Sequence, residues 1–162
     1  MESGVRAVRK VLAVLVVLAL AAGVSVLYYQ YHRTEQTEQA RSEAVTAASE
    51  QAKKMLAYDF GGVDQQLNSA ADGLTGDFRD EYLGLVTEVI APAAKEKSLT
   101  VQVTVQGTAV VSAEPDAATV LLFLNQITTS SDAPDAASSG SRVRMSLEKV
   151  DGRWLTSNLE PI

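Results

Sequence analysis

The chain has 162 residues, 46% of them hydrophobic, with one histidine and no cysteine. Its charge is split: through Arg33 there are four basic residues (Arg6, Arg9, Lys10, Arg33) against Glu2, and from Thr34 onward ten basic against nineteen acidic, a formal charge of −9. So acidic a surface disfavours nucleic acid and anionic headgroups as ligands, and the lack of cysteine excludes disulfides, thiolate chemistry, cysteine-ligated zinc and a lipidated N-terminal Cys.

The first element is the run Val11–Leu27, apolar at every position but Gly23 and Ser25. Extended to Tyr31 it makes a helix of roughly 30 Å, about the thickness of the hydrocarbon layer. Arg6, Arg9 and Lys10 favour the cytoplasmic side and Tyr28, Tyr29 and Tyr31 suit the far interface. The expected order is a cytoplasmic basic N-terminus (1–10), a transmembrane helix (11–31), a helical stalk and first domain helix (32–57), and the rest of an extracytoplasmic domain (58–162). A cleavable signal peptide is the competitor, but the apolar run continues through Val24, Val26 and Leu27, past the small residues Ala19-Leu20-Ala21. A retained single-pass anchor in the cell inner membrane is the favoured reading. The remaining 130 or so residues suffice for one domain with one core.

Between Val24 and Phe60 there is no glycine and no proline, and good helix formers dominate 35–57. Ala40, Ala44, Ala48, Ala52, Met55 and Leu56 recur at helical spacing. This stripe of small side chains either packs on the domain's own core, the favoured reading, or is a partner-contact stripe centred on Ala44, Ala48 and Ala52. Gly61-Gly62 is expected to end the helix. Val63, Leu67, Ala70, Ala71 and Leu74 give a short second helix, weakened near Gly73. Thr75 is the expected N-cap of a third, with Asp77 and Asp80 in its first turns and Phe78, Tyr82, Leu85, Val86, Val89 and Ile90 on its apolar face. Pro92 should end or kink it near Ala91.

The period then changes from 3.6 to 2. Val101, Val103 and Val105 alternate with polar residues in a strand over 99–106, Gly107 marks a bulge, and 109–112 continue it. After the Pro115-Asp116 turn, 117–128 form a central strand around Val120-Leu121-Leu122-Phe123-Leu124. The Ser-, Asp- and Ala-rich stretch 130–141 reads as a loop. Residues 142–150 and 154–159 are the last two strands, joined by Asp151-Gly152, a pair suited to a two-residue hairpin turn. The fold expected is α+β: three helices packed on a curved four-stranded antiparallel sheet.

Catalytic patterns are missing. His32 stands alone at the membrane interface, so no Ser-His-Asp triad can be assembled, and no phosphate loop, HExxH or EF-hand pattern occurs. Asp77, Asp80 and Glu81 read as charges at a helix start, and Asp132 and Asp135 match no calcium loop. Tyr58-Asp59 and Tyr82 could place a desolvated carboxylate in a cavity, but such residues more often anchor packing. No enzyme, metal or cofactor is expected.

The order of motifs carries a resemblance. A basic start, one span, an Ala-rich helix, Leu56-Ala57-Tyr58-Asp59-Phe60, Leu74-Thr75-Gly76-Asp77-Phe78 with Tyr82 a turn on, Pro92-Ala93-Ala94, Val120 through Gln126, and Lys149-Val150-Asp151-Gly152-Arg153-Trp154-Leu155 together resemble the actinobacterial Mce-associated membrane proteins. The resemblance covers nearly the whole chain and implies a nuclear-transport-factor-2-like cone. It also implies a non-catalytic scaffold beside Mce lipid-import complexes, whose proteins would be the partners, with a homo-oligomer also open. Similar architecture is found in the inner-membrane assembly scaffold of type IV secretion systems, an alternative resting on fold analogy. A third is a lipid- or steroid-binding cone, which Phe60, Phe78, Tyr82, Phe123 and Trp154 would line around an open volume; a scaffold would fill that volume with side chains.

Overall fold

A computed structural model describes residues 31, 34–131 and 136–162. The expected cytoplasmic N-terminus, His32, Asp132, Asp135 and all of the expected transmembrane helix but Tyr31 lie outside these residues. Among the described residues, no helix is long and apolar enough to cross a membrane. The chain divides into two compact units, Met1–Thr37 and Glu38–Ile162, and the second is the α+β domain.

Helix α1 covers residues 34–56, and its alanines supply high helix propensity and a narrow buried stripe. It stops at Leu56 rather than at Gly61-Gly62, because Tyr58–Asp59 forms a two-residue strand, β1, paired with Val101 and Thr100. Gly61 and Gly62 lie in the turn that leads into α2, Val63–Ala70. A 3₁₀ turn, Ala71–Gly73, follows. Gly73 is required by space: an added Cβ would lie 2.7 Å from Gln51 Nε2 and closer still to the rest of that carboxamide. Gln51 is itself buried and donates to the Ala70 carbonyl at 2.6 Å, tying α1 to α2.

Thr75 takes the N-cap position of α3, Gly76–Leu85, in extended conformation, without a side-chain capping bond. Its N–H instead bonds the Thr156 carbonyl at 3.0 Å, pinning the helix start to the sheet. Pro92 does not end the helix. A π segment, Val86–Ile90, in which the Ala91 N–H reaches the Val86 carbonyl, shifts the ladder so that Pro92 falls in the first turn of α4, Ala91–Glu96. A proline's missing N–H costs little in a first turn.

The sheet has five antiparallel strands in the order β1-β2-β3-β4-β5, with β2 Thr100–Ala113, β3 Ala117–Thr129, β4 Ala137–Val150 and β5 Arg153–Pro161. The expected four strands are all present, and β1 is the fifth. Register shifts at Gln106, beside Gly107, and at Val111 bulge β2, and another bulges β5; such bulges increase local twist and let the sheet curl. Asp151 and Gly152 both take positive φ, 50° and 77°, as the two-residue hairpin demands. The stretch 130–141 is a strand from Ala137 onward: Ala137–Ser141 pairs with Leu124–Thr128 despite its poor strand propensity.

The core lies between the helices and one face of the sheet. Ala118, Val120, Leu122 and Leu124 of β3 and Val143, Met145 and Leu147 of β4 meet Ala44, Ala48, Ala52, Val63, Leu67 and Val86, all buried. Alternation with period 2 puts every one of those strand residues on the same face.

Candidate functional site

Of the five residues expected to line a cone, Tyr82, Phe78 and Trp154 pack in or against one core cluster, and Phe60 and Phe123 do not. Tyr82 is buried, donates to the Met55 carbonyl at 3.1 Å and packs in the core, where burial pushes its phenol well above the ordinary range. Phe78 is partly buried against the same cluster. Phe60 is 41% exposed in the turn after β1, and Phe123 is 40% exposed on the outer face of the sheet. The reason is parity: Phe123 falls between Leu122 and Leu124 and must point away from them. Its ring instead lies over Gly107 of β2, 3.7 Å from where a Cβ would stand.

Trp154 joins a polar clasp. Its indole N–H donates to Glu43 Oε2 at 3.0 Å, Lys149 Nζ lies 2.7 Å from the same oxygen, and Gln39 donates to Oε1 at 2.7 Å. The Lys149 ammonium also stands 5.3 Å from the centre of the Trp154 ring, within cation–π range. The Lys149 ammonium, the indole N–H and the Gln39 amide together draw the Glu43 carboxyl down to about 2. The clasp fastens α1 to the β4–β5 hairpin. Sequence reading missed it, since its members lie 106 and 111 positions apart.

Ala44, Ala48 and Ala52 are wholly buried in the domain's own core. In the folded domain they are therefore not open to a partner, and their methyls let α1 approach the sheet closely. Tyr58 and Asp59 serve β1: Asp59 accepts from the Gly61 N–H at 2.9 Å and the Thr100 hydroxyl at 2.8 Å, while its own N–H donates to Gln66 Oε1. Asp59 is exposed and fully engaged, not a desolvated base. Asp77, Asp80 and Glu81 are exposed at the start of α3. Among the described residues no group of three His, Asp or Glu side chains could hold a metal ion. Asn125 accepts from the Ser138 hydroxyl at 2.9 Å, across the β3–β4 pair.

Two open grooves lie on the surface of the described domain. An open groove of about 820 Å³ is bordered by Gln106, Phe123, Asn125, Gly140, Arg142 and Ile162. A shallower one of about 380 Å³ runs between Tyr58, Gln66 and Val103. Among the described residues the inner face of the sheet is covered by the helices, and both grooves open to solvent.

The fold is of a known class. It resembles an IcmL-like type IV secretion system protein from Legionella pneumophila (13% identity, 75% of this chain and 93% of that one, TM-score 0.64). It likewise resembles a periplasmic fragment of TraM (10% identity, 75% and 96%, TM-score 0.61). At such identities the likeness is one of fold. The chain itself belongs to the family of uncharacterized proteins described as Rv1363c/MT1408-like, whose model matches residues 5–162. A relative, the protein named outer membrane protein Rv1973 of Mycobacterium tuberculosis H37Rv, is 44% identical over 124 residues, 76% of each chain.

Proposed function

We propose that this protein is a non-catalytic, single-pass scaffold of the inner membrane whose α+β domain, outside the cytoplasm, assembles or stabilises a membrane complex by protein–protein contact. The observation that carries the reading is the filled hollow of the sheet. Val120, Leu122, Met145 and Leu147 meet α1 and α2 with no exposure above 2%, so the residues that would have to line a lipid cone either serve the core or lie outside it. A domain whose interior is full works through its surface. The apolar run Val11–Leu27 supplies the anchor, and a relative named as an outer membrane protein supports a membrane setting.

The partners proposed are the proteins of an Mce-type lipid-import complex, on the strength of the end-to-end motif resemblance. A second reading, an assembly scaffold of a type IV secretion or conjugation system, is favoured by the likeness of fold to the IcmL-like protein and TraM. Affinity purification of the full-length protein from its own membranes in mild detergent, followed by mass spectrometry, separates them. Mce proteins and their permease subunits in the eluate support the first reading, and secretion or conjugation components replace it with the second. A chain that elutes alone with a stoichiometric lipid overturns both.

A further inference from the structure

The helical run that begins with α3 keeps one side unpartnered. Asp77, Glu81, Leu85 and Val89 follow one another at four-residue spacing along α3 and the π segment, and all four are exposed. Asp80, Gly84, Glu88 and Pro92 form the next row, exposed except for half-buried Gly84. Residues four apart are neighbours on a helix surface, so the two rows make one face. Leu85 and Val89 are 50% and 55% exposed on it. Apolar side chains scattered singly over a surface need no explanation, but these two adjoin.

The fold itself makes no use of this face. Asp77, Asp80, Glu81 and Glu88 belong to none of the ion pairs among the described residues, and Arg79, the one basic residue between Gly76 and Ala94, stands 3.9 Å from Asp72. The helix dipole accounts for Asp77 in the first turn, but its effect does not reach Glu81 or Glu88. Like charges four positions apart, as in Asp77 and Glu81, weaken a helix. Gly84 weakens it too, relative to alanine. Unlike Gly73, it is not required by this chain: an added Cβ would meet no atom within 4 Å. Its bare backbone leaves a notch in the second row, where the ridge of another helix can settle. Val89 lies in the π segment, and such segments are frequent at functional sites.

We infer that this face docks a basic amphipathic helix of a partner protein, whose apolar side chains cover Leu85 and Val89 and whose lysines or arginines meet Glu81 and Glu88. Charge selects that occupant. The face carries four carboxylates outside any ion pair, and the chain from Thr34 onward has a formal charge of −9, so local and overall charge attract the same partner. A second copy would bring the same acidic helix and the same −9, and an acidic segment or an anionic lipid surface is repelled likewise. The inference rests on the scaffold reading and names the surface through which the scaffold acts.

Photoreactive benzoylphenylalanine placed at Val89 of the full-length protein, in its own membranes, traps what lies there, and sequencing the cross-linked peptide reads its chemistry. The expected peptide is rich in Lys and Arg and apolar at three- and four-residue spacing. E81K/E88K changes only exposed side chains, so the fold should be kept while the cross-link yield falls about tenfold or more, like charges now facing the partner. G84A should melt at a higher temperature than the wild type and yet cross-link less, because its methyl enters the notch. An acidic or uncharged peptide, this chain's own sequence, lipid alone, no cross-link, or a yield unchanged by E81K/E88K or by G84A would overturn the docking. The scaffold reading fails by a different result, a complex that assembles unchanged in membranes lacking the chain. A complex that needs the chain but assembles fully with E81K/E88K overturns the docking alone.

Discussion

Replacing Gly73 with alanine isolates one contact that holds the helices over the sheet. The new Cβ would overlap the Gln51 carboxamide, which must swing away and give up its bond to the Ala70 carbonyl. Gln51 is only 8% exposed, so both the amide and the carbonyl would be left in a poorly solvated place. A buried hydrogen-bonding group left unpaired costs about 1–3 kcal/mol. Against this, alanine restricts the unfolded chain and returns about 0.4–1 kcal/mol. The net expectation is destabilisation by about 1–2 kcal/mol. Urea unfolding of the full-length protein in detergent reads it through the fluorescence of Trp154, the chain's one tryptophan. The double variant closes the argument: with Gln51→Ala already in place there is no carboxamide to displace, and G73A should become neutral or slightly stabilising. If G73A cost the same in both backgrounds, the steric reasoning would be refuted.

Other expectations follow from the same packing. Ala48→Arg forces a charge into a fully buried site, at a cost of several kcal/mol. Loss of the near-UV signal and of protease resistance would be its signature, and a folded A48R domain would show that the stripe is not core. Leu122→Ala removes a wholly buried side chain and should cost about 2–5 kcal/mol in the same urea assay. Glu43 gives a pH dependence of defined sign. Its folded value, about 2, lies below the ordinary value of 4.5, so its contribution is full above about pH 4.5 and is lost as pH falls through about 2. E43Q should flatten that limb, and an unchanged acid limb would mean that the clasp to Lys149 and Trp154 does not act on stability.

Much of the fold was legible because it rests on local rules. The valines at 101, 103 and 105 alternate, Gly107 stands beside the bulge, and Asp151-Gly152 turns the last hairpin with two positive φ values. What escaped depends on tertiary pairing. A two-residue strand such as β1 has no period, and Ala137–Ser141 is held as a strand by β3 rather than by its own propensity. Pro92 was expected to end or kink the helix near Ala91; the irregularity there is a π segment, Val86–Ile90, which leaves no mark in the hydrophobic pattern.

The candidate site was less legible for a related reason. In an unbroken apolar run, alternation does not announce which residues face inward, and Phe123 fell on the outer side. The alanine stripe was visible, and its neighbours in space were not. The Glu43 clasp joins residues more than a hundred positions apart, and nothing in either segment alone points to the other.

The central claim, that this domain acts as a scaffold and not as a chemist or a lipid carrier, is tested most directly by removing the chain. Blue-native electrophoresis of membranes with and without it, probed for whichever complex co-purifies, measures assembly itself. The scaffold account expects that complex to run smaller or to disappear, and to be restored by the full-length chain. A complex of unchanged size and amount in its absence would contradict the account.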